Sequence, residues 1–96
     1  MTLDELFDPG KVRATSAAEE LRESGIDFES HLSRHVPGDW GDIGAEVKTA
    51  NAQAVETGEG IIASAYGTPL GWLLVITETD QSKTTFLVPS DLPRKE

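Results

Sequence analysis

The chain has no cysteine. That excludes disulfides, thiolate nucleophiles and cysteine-ligated zinc together. A domain of this size without covalent staples stands on packing, or on an oligomer contact, so a homo-oligomer stays open. Basic residues are scarce: eight against seventeen acidic ones, for a net charge of −9. Nucleic-acid binding usually shows as a basic patch, and the lysines and arginines here are scattered, which argues against nucleic acid as a partner. The acids are also dispersed, with no block of five or six like charges. They read as a self-repelling surface rather than as a tail or a nucleic-acid mimic. No apolar run approaches the ~20 residues that span a bilayer, so no membrane association is expected. Acidic Asp4 and Glu5 stand where a secretory signal carries basic residues, and a cytoplasmic protein is expected.

With 96 residues, the sequence reads as a single α+β domain over 1–96, with flexible ends at about 1–9 and 92–96. Such a chain buries only ~60–65% of the surface it exposes when unfolded, so one layer pair and no deep cavity are expected.

Asp8-Pro9-Gly10 is a turn signal, and Lys11 to Thr15 suits a short edge strand. Ser16-Ala17-Ala18-Glu19 matches a capping box for a helix from Ala17 to about Glu23, stopped by Gly25. Asp27 can cap a second helix, Phe28 to His35, which Pro37-Gly38 stops. A third helix is expected from about Ile43 to Thr57, capped by Asp42 and ended by Gly58, burying the stripe Ile43, Val47, Ala50 and Ala54. Lys48, Asn51 and Glu56 fall away from that stripe or at its border.

After Gly60 the hydrophobic period changes from 3.6 to 2. Strands are expected at Ile61–Tyr66, Trp72–Thr79 and Thr84–Val88, joined by short hairpin links. The fold class is therefore α+β, two or three N-terminal helices on a three-stranded antiparallel sheet, to which the segment Lys11 to Thr15 can add a short edge strand. Alternation puts Ile61, Ala63, Ala65, Leu73, Val75, Thr77, Phe86 and Val88 on the core face. Ile62, Ser64, Tyr66, Leu74, Ile76, Glu78, Thr85 and Leu87 fall on the other. A one-residue slip would exchange the sets.

Three constellations bear on chemistry. His31 and His35, one helical turn apart, could chelate a metal with Asp39, Asp42 or Glu78 as third ligand. A histidine near a helix C-terminus is also favoured by the helix dipole, so no metal and no cofactor are expected. Gly38-Asp39-Trp40-Gly41-Asp42 packs special residues into one loop, where Trp40 can plug a gap between helices and sheet. The segment Thr77 to Thr85 is a polar hairpin end in which Asp80 and Ser82 suit turn bonds. His35 with Glu78 could do acid–base work, as in ribonucleotide cleavage. Such cleavage needs cations to stabilise the phosphorane, and only Arg34, Lys48 and Lys83 are at hand.

Thr15, His35-x-x-Gly38-Asp39-Trp40-Gly41, Asn51, Ser64-x-Tyr66, Ile76-Thr77-Glu78-x-Asp80-x-Ser82-x-Thr84-Thr85 and Leu87-x-Pro89 form an ordered pattern over about Gly10 to Asp91. It resembles a family of small bacterial proteins carried on plasmids, phages and other mobile elements. Its members are described as plasmid-related, and sometimes as a type I restriction–modification subunit. The chain departs from that pattern at Val47, Gly60 and Gln81, and the last two departures remove positive charge near the site. The order of elements is also similar to small ribonuclease toxins of the RelE and barnase kind, a fold analogy that carries no function by itself.

The expectation is a non-enzymatic accessory protein of mobile elements acting through a protein partner. Asp39, Trp40, Asn51, Ser64, Tyr66, Asp80, Ser82, Thr84 and Thr85 are its candidate binding residues, and Trp40, Tyr66 and Trp72 would form the contact surface. The alternative is a metal-independent ribonuclease-like or nucleotide-binding domain with His35 and Glu78 as catalytic residues.

Overall fold

A computed structural model describes residues 6–80 and 82–92. The element order is β1 (Lys11–Ala14), α1 (Ser16–Glu23), α2 (Phe28–His35), α3 (Ala45–Thr57), β2 (Ile61–Thr68), β3 (Gly71–Glu78) and β4 (Lys83–Leu87). A short 3-10 turn over Pro89–Asp91 follows. The class is α+β, with three helices, and the sheet has four strands in the order β1-β4-β3-β2, the short N-terminal edge strand joining the three antiparallel ones. β2, β3 and β4 form the expected antiparallel hairpins. The edge strand β1 runs parallel to β4, which makes the sheet mixed. Its partner lies at the far end of the chain, so no local turn signal announces the pairing.

The expected flexible ends fall partly on residues 1–5 and 93–96, outside the described residues. Residues 6–9 are tied down instead. The Leu6 N–H donates to the Val36 carbonyl, Phe7 meets the His35 ring edge-on at 5.1 Å, and the Pro9 carbonyl accepts from Thr84.

The start of α1 shows how the sheet overrides a local signal. Thr15, not Ser16, is the cap, and its Oγ1 accepts from the Ala18 N–H at 3.2 Å. The Thr15 N–H donates to the Phe86 carbonyl, so the end of β1 sets where the chain can turn into helix. Glu19 then bonds Arg22 instead of closing a capping box. The Thr15 hydroxyl also donates to Asp91 at 2.6 Å, tying α1 to the C-terminal turn and holding that carboxyl below the usual range. Thr15→Ala is therefore expected to cost about 1–2 kcal/mol in urea unfolding, while Ser16→Ala should cost little.

α2 follows its sequence signals: Asp27 caps it, and Phe28 and His35 are buried at the predicted spacing. α3 does not. It begins at Ala45 with Gly44 at the cap and no side-chain cap bond, while Asp42 is held two residues earlier against β2, its N–H donating to the Ala65 carbonyl. Its buried residues are Asn51 and Ala54, while Val47 is exposed. Gly58 ends it in the left-handed conformation, as expected.

The core gathers Ala18, Phe28, Tyr66, Leu73, Val75 and Phe86, with Phe28 and Phe86 stacked at 4.4 Å. Leu73, Val75, Thr77 and Phe86 take the predicted face. β2 is one residue out of phase with expectation. Ile62, Ser64 and Tyr66 are buried, opposite Thr77, Val75 and Leu73. Both phases of β2 carry small or apolar residues, so alternation alone did not decide between them.

The open edge of β2 is covered in an unusual way. The Asn51 side chain donates to the Ala63 carbonyl and accepts from the Ala63 N–H, at 2.8 and 2.9 Å. One primary amide thus takes the place of a neighbouring strand. Two residues on, the Ala65 N–H donates to Trp40 and the Ala65 carbonyl accepts from Asp42. Gly41 lies between them in a bridge to Ala65, with φ at 75°, where a Cβ would collide with the Ala65 carbonyl and the Tyr66 ring. Natural sheets need such cover, because an unpaired strand edge recruits other strands.

Candidate functional site

α2 ends on the sheet, and its last residue, His35, is driven between β2 and β3 with no exposed surface. Its Nδ1 lies 2.5 Å from Ser64 Oγ and its Nε2 lies 2.8 Å from Thr77 Oγ1. Thr77 continues to Thr84 at 2.7 Å, and the Thr84 hydroxyl donates to the Pro9 carbonyl at 2.7 Å. Proton directions along this chain follow from its end. The Pro9 carbonyl can only accept, so Thr84 gives it its hydroxyl proton and must accept from Thr77. Thr77 then accepts from the His35 Nε2–H, and Nδ1 accepts from the Ser64 hydroxyl. The neutral Nε2–H tautomer satisfies every member.

A second proton on His35 would turn the Ser64 hydroxyl from donor to acceptor and take from its proton the Nδ1 partner. It would also charge a group that no water reaches. Burial accordingly lowers the His35 pKa to about 4. A histidine with both nitrogens occupied and no exposure holds an interior together.

Above this chain, Asp39 meets Arg34 through two bonds of 2.8 and 3.2 Å, and the guanidinium holds its carboxyl below the usual range. The Arg34 guanidinium also lies 4.5 Å from the Tyr66 ring centre, and the Tyr66 hydroxyl donates to the Asp39 carbonyl at 2.6 Å. Burial raises the Tyr66 pKa. Trp40 is half-buried, and its indole N–H is enclosed with no partner among the described residues.

His35, Ser64 and Thr84 are therefore brought together, joined by Thr77. Asp39 and Tyr66 meet beside them. Asn51 serves the edge of β2. The other candidates lie elsewhere. Glu78 and Thr85 stand on the opposite face of the sheet from Ser64, Tyr66 and Thr77, by the register of β2, β3 and β4. Glu78 pairs there with Lys83 at 3.7 Å. Asp80 is exposed in the turn, and Ser82 gives its carbonyl to the Lys11 N–H. His31 points its Nδ1 at the Asp27 carbonyl, 2.7 Å away, and packs on Tyr66. Among the described residues no group of three or more histidine, aspartate or glutamate side chains gathers to hold a metal. Nor is any helix there long and apolar enough to cross a membrane.

Arg34 and Thr77 also belong to this cluster, though neither is among the candidate catalytic or binding residues of the sequence. Arg34 is five residues before Asp39, a spacing that joins a helix end to the loop after it. Thr77 was placed on the core face, yet a threonine among Leu73 and Val75 there already signals a buried polar partner. No family model, curated protein or solved structure matches the chain.

Proposed function

We propose that this chain is a non-enzymatic accessory protein that works by binding a protein partner, in the plasmid, phage or mobile-element setting that its sequence pattern suggests. The observation that carries the reading is the sheet face turned away from His35. Trp72, Leu74 and Ile76 of β3 lie there beside Ile61, Ala63 and Ala65 of β2. Trp72 and Ile61 are 47% and 56% exposed. A half-exposed tryptophan on an apolar lane is the kind of anchor that binding surfaces use. Tyr66 is buried and Trp40 half-buried, so of the three aromatic residues considered, Trp72 is the one available for contact.

The sealed state of His35, and the position of Glu78 across the sheet from it, support a role other than acid–base catalysis. Partner capture from host extract is the test, with wild type and Trp72→Ala matched for urea midpoint. A partner held by wild type and lost by the variant is expected. Equal recovery of every protein would overturn the reading, as would RNA cleavage by the pure chain that Glu78→Gln abolishes.

A further inference from the structure

The outer edge of β1 has a pattern of its own. The N–H groups of Lys11 and Thr15 donate to the carbonyls of Ser82 and Phe86 on the β4 side. In a parallel ladder alternate residues bond to opposite sides. The N–H and C=O of Val12 and Ala14 therefore point away from β4, and no described residue bonds them.

The two faces beside this edge differ. Val12 shares the face of its register partner Thr84, where α1 and α2 lie. There a cleft of about 180 Å³ is lined by Val12, Ala14, Phe28, Leu32 and Phe86, room for one apolar side chain. Glu19, Glu29, Arg13 and Arg22 also border it, so its rim carries both charges while its floor is apolar. On the opposite face stand Lys11 and Arg13, in a chain with few cations. Neither has an ion pair among the described residues. The neighbour of Lys11 across the ladder is Lys83, another cation, whose own partner is Glu78. Positive charge is thus left uncompensated along the edge of an acidic protein.

We propose that β1 accepts one more strand: an extended segment of a partner protein in which acidic and apolar residues alternate. Strand addition to an open edge draws affinity from backbone bonds and specificity from alternate side chains. Here the pleat assigns both. Carboxylates on one side of the added strand lie beside Lys11 and Arg13, and an apolar side chain on the other side enters the cleft between Val12 and Phe28. Opposite charges on neighbouring strands stabilise the pair, and like charges oppose it. The same rule argues against a second copy pairing β1 to β1, which would set Lys11 and Arg13 against identical cations. The site lies at the opposite edge of the sheet from β2 and does not use Trp72.

The probe is a short capped peptide alternating glutamate and valine, with a lysine–valine peptide of equal length as control. Amide shifts and fluorescence anisotropy on the full chain are the readouts. Saturable binding of the glutamate peptide is expected, with shifts centred on Val12, Ala14, Phe28 and Leu32. Val12→Pro removes an outward N–H that no ladder bond needs. It should weaken binding about tenfold or more. The double variant Lys11→Glu, Arg13→Glu should reverse the preference toward the lysine peptide, and it keeps the test valid should the proline variant unfold. Three results would overturn the proposal: no saturable binding, shifts centred elsewhere, or unchanged preference in the charge-reversed chain. Self-association lost in Val12→Pro would also overturn it, in favour of a second copy. None of these outcomes depends on Trp72, so this proposal and the partner-capture reading fail separately.

Discussion

Replacing His35 with alanine is expected to lower stability by about 3–5 kcal/mol, the range seen when a large buried ring is truncated and its polar partners are stranded. Two terms act together. The ring leaves a void beside Phe7, and the Ser64 and Thr77 hydroxyls lose their partner. Native stability is only about 5–15 kcal/mol in total, so this single change approaches the limit of what the fold tolerates. Urea unfolding at neutral pH measures it.

The same residue sets the acid response. Burial holds the folded pKa near 4, against an ordinary value of 6.5. Above pH 6.5 both states carry a neutral ring and His35 adds no pH dependence. As pH falls from 6.5 toward 4, the unfolded chain takes up the proton and the folded one does not. Stability is therefore lost across that window, by about 3 kcal/mol in all, and levels off once the folded form also protonates. His35→Ala should flatten the slope between pH 6.5 and 4. A wild-type stability curve with no slope there would show that the ring takes up a proton in the folded state as easily as in the unfolded one.

Asn51→Ala is expected to cost about 2–4 kcal/mol, from two backbone groups of Ala63 that lose their partner at once. It should also raise self-association, because it bares the edge of β2 where only Ala65 keeps its cover from the Trp40–Asp42 loop. Asn51→Asp distinguishes the amide from simple bulk. A carboxylate can still accept from the Ala63 N–H but repels the Ala63 carbonyl, so this variant should be weakest at neutral pH. Protonation restores a donor, and its deficit against wild type should shrink in acid. Sedimentation and urea midpoints across pH report both effects. An Asn51→Ala chain as stable and as monomeric as wild type would remove the strand-mimic role.

Much of the candidate site was legible in the residues. His35, Asp39, Ser64, Tyr66 and Thr84 were all singled out, and all converge around the end of α2. What their pattern leaves open is whether the convergence faces solvent or the interior. A histidine with two hydroxyls reads the same in a cleft and in a core, and only the depth at which α2 meets the sheet distinguishes them. Glu78 reads as a partner of His35 because the expected phase of β2 sets it on one face with Ser64 and Tyr66. Adjacent residues of a strand point to opposite faces, and the observed phase of β2 sets Ser64 and Tyr66 with Thr77 instead.

The sequence by itself determined what local chemistry controls. Asp27 and Gly58 set one end each of α2 and α3, two short links made the hairpins, and the acid excess set the charge. These rest on contacts within a few residues, or on composition. Tertiary structure decided the rest: the parallel pairing of β1, the caps at Thr15 and Gly44, the phase of β2 and the use of Asn51 as a strand. Each of these depends on a hydrogen bond to a distant segment, and such a bond outweighs a local preference of about 1 kcal/mol or less. The absence of cysteine belongs with that result. A chain with no covalent staple fastens its N-terminus, helices and hairpin through one buried run of hydroxyls, a ring and the Pro9 carbonyl.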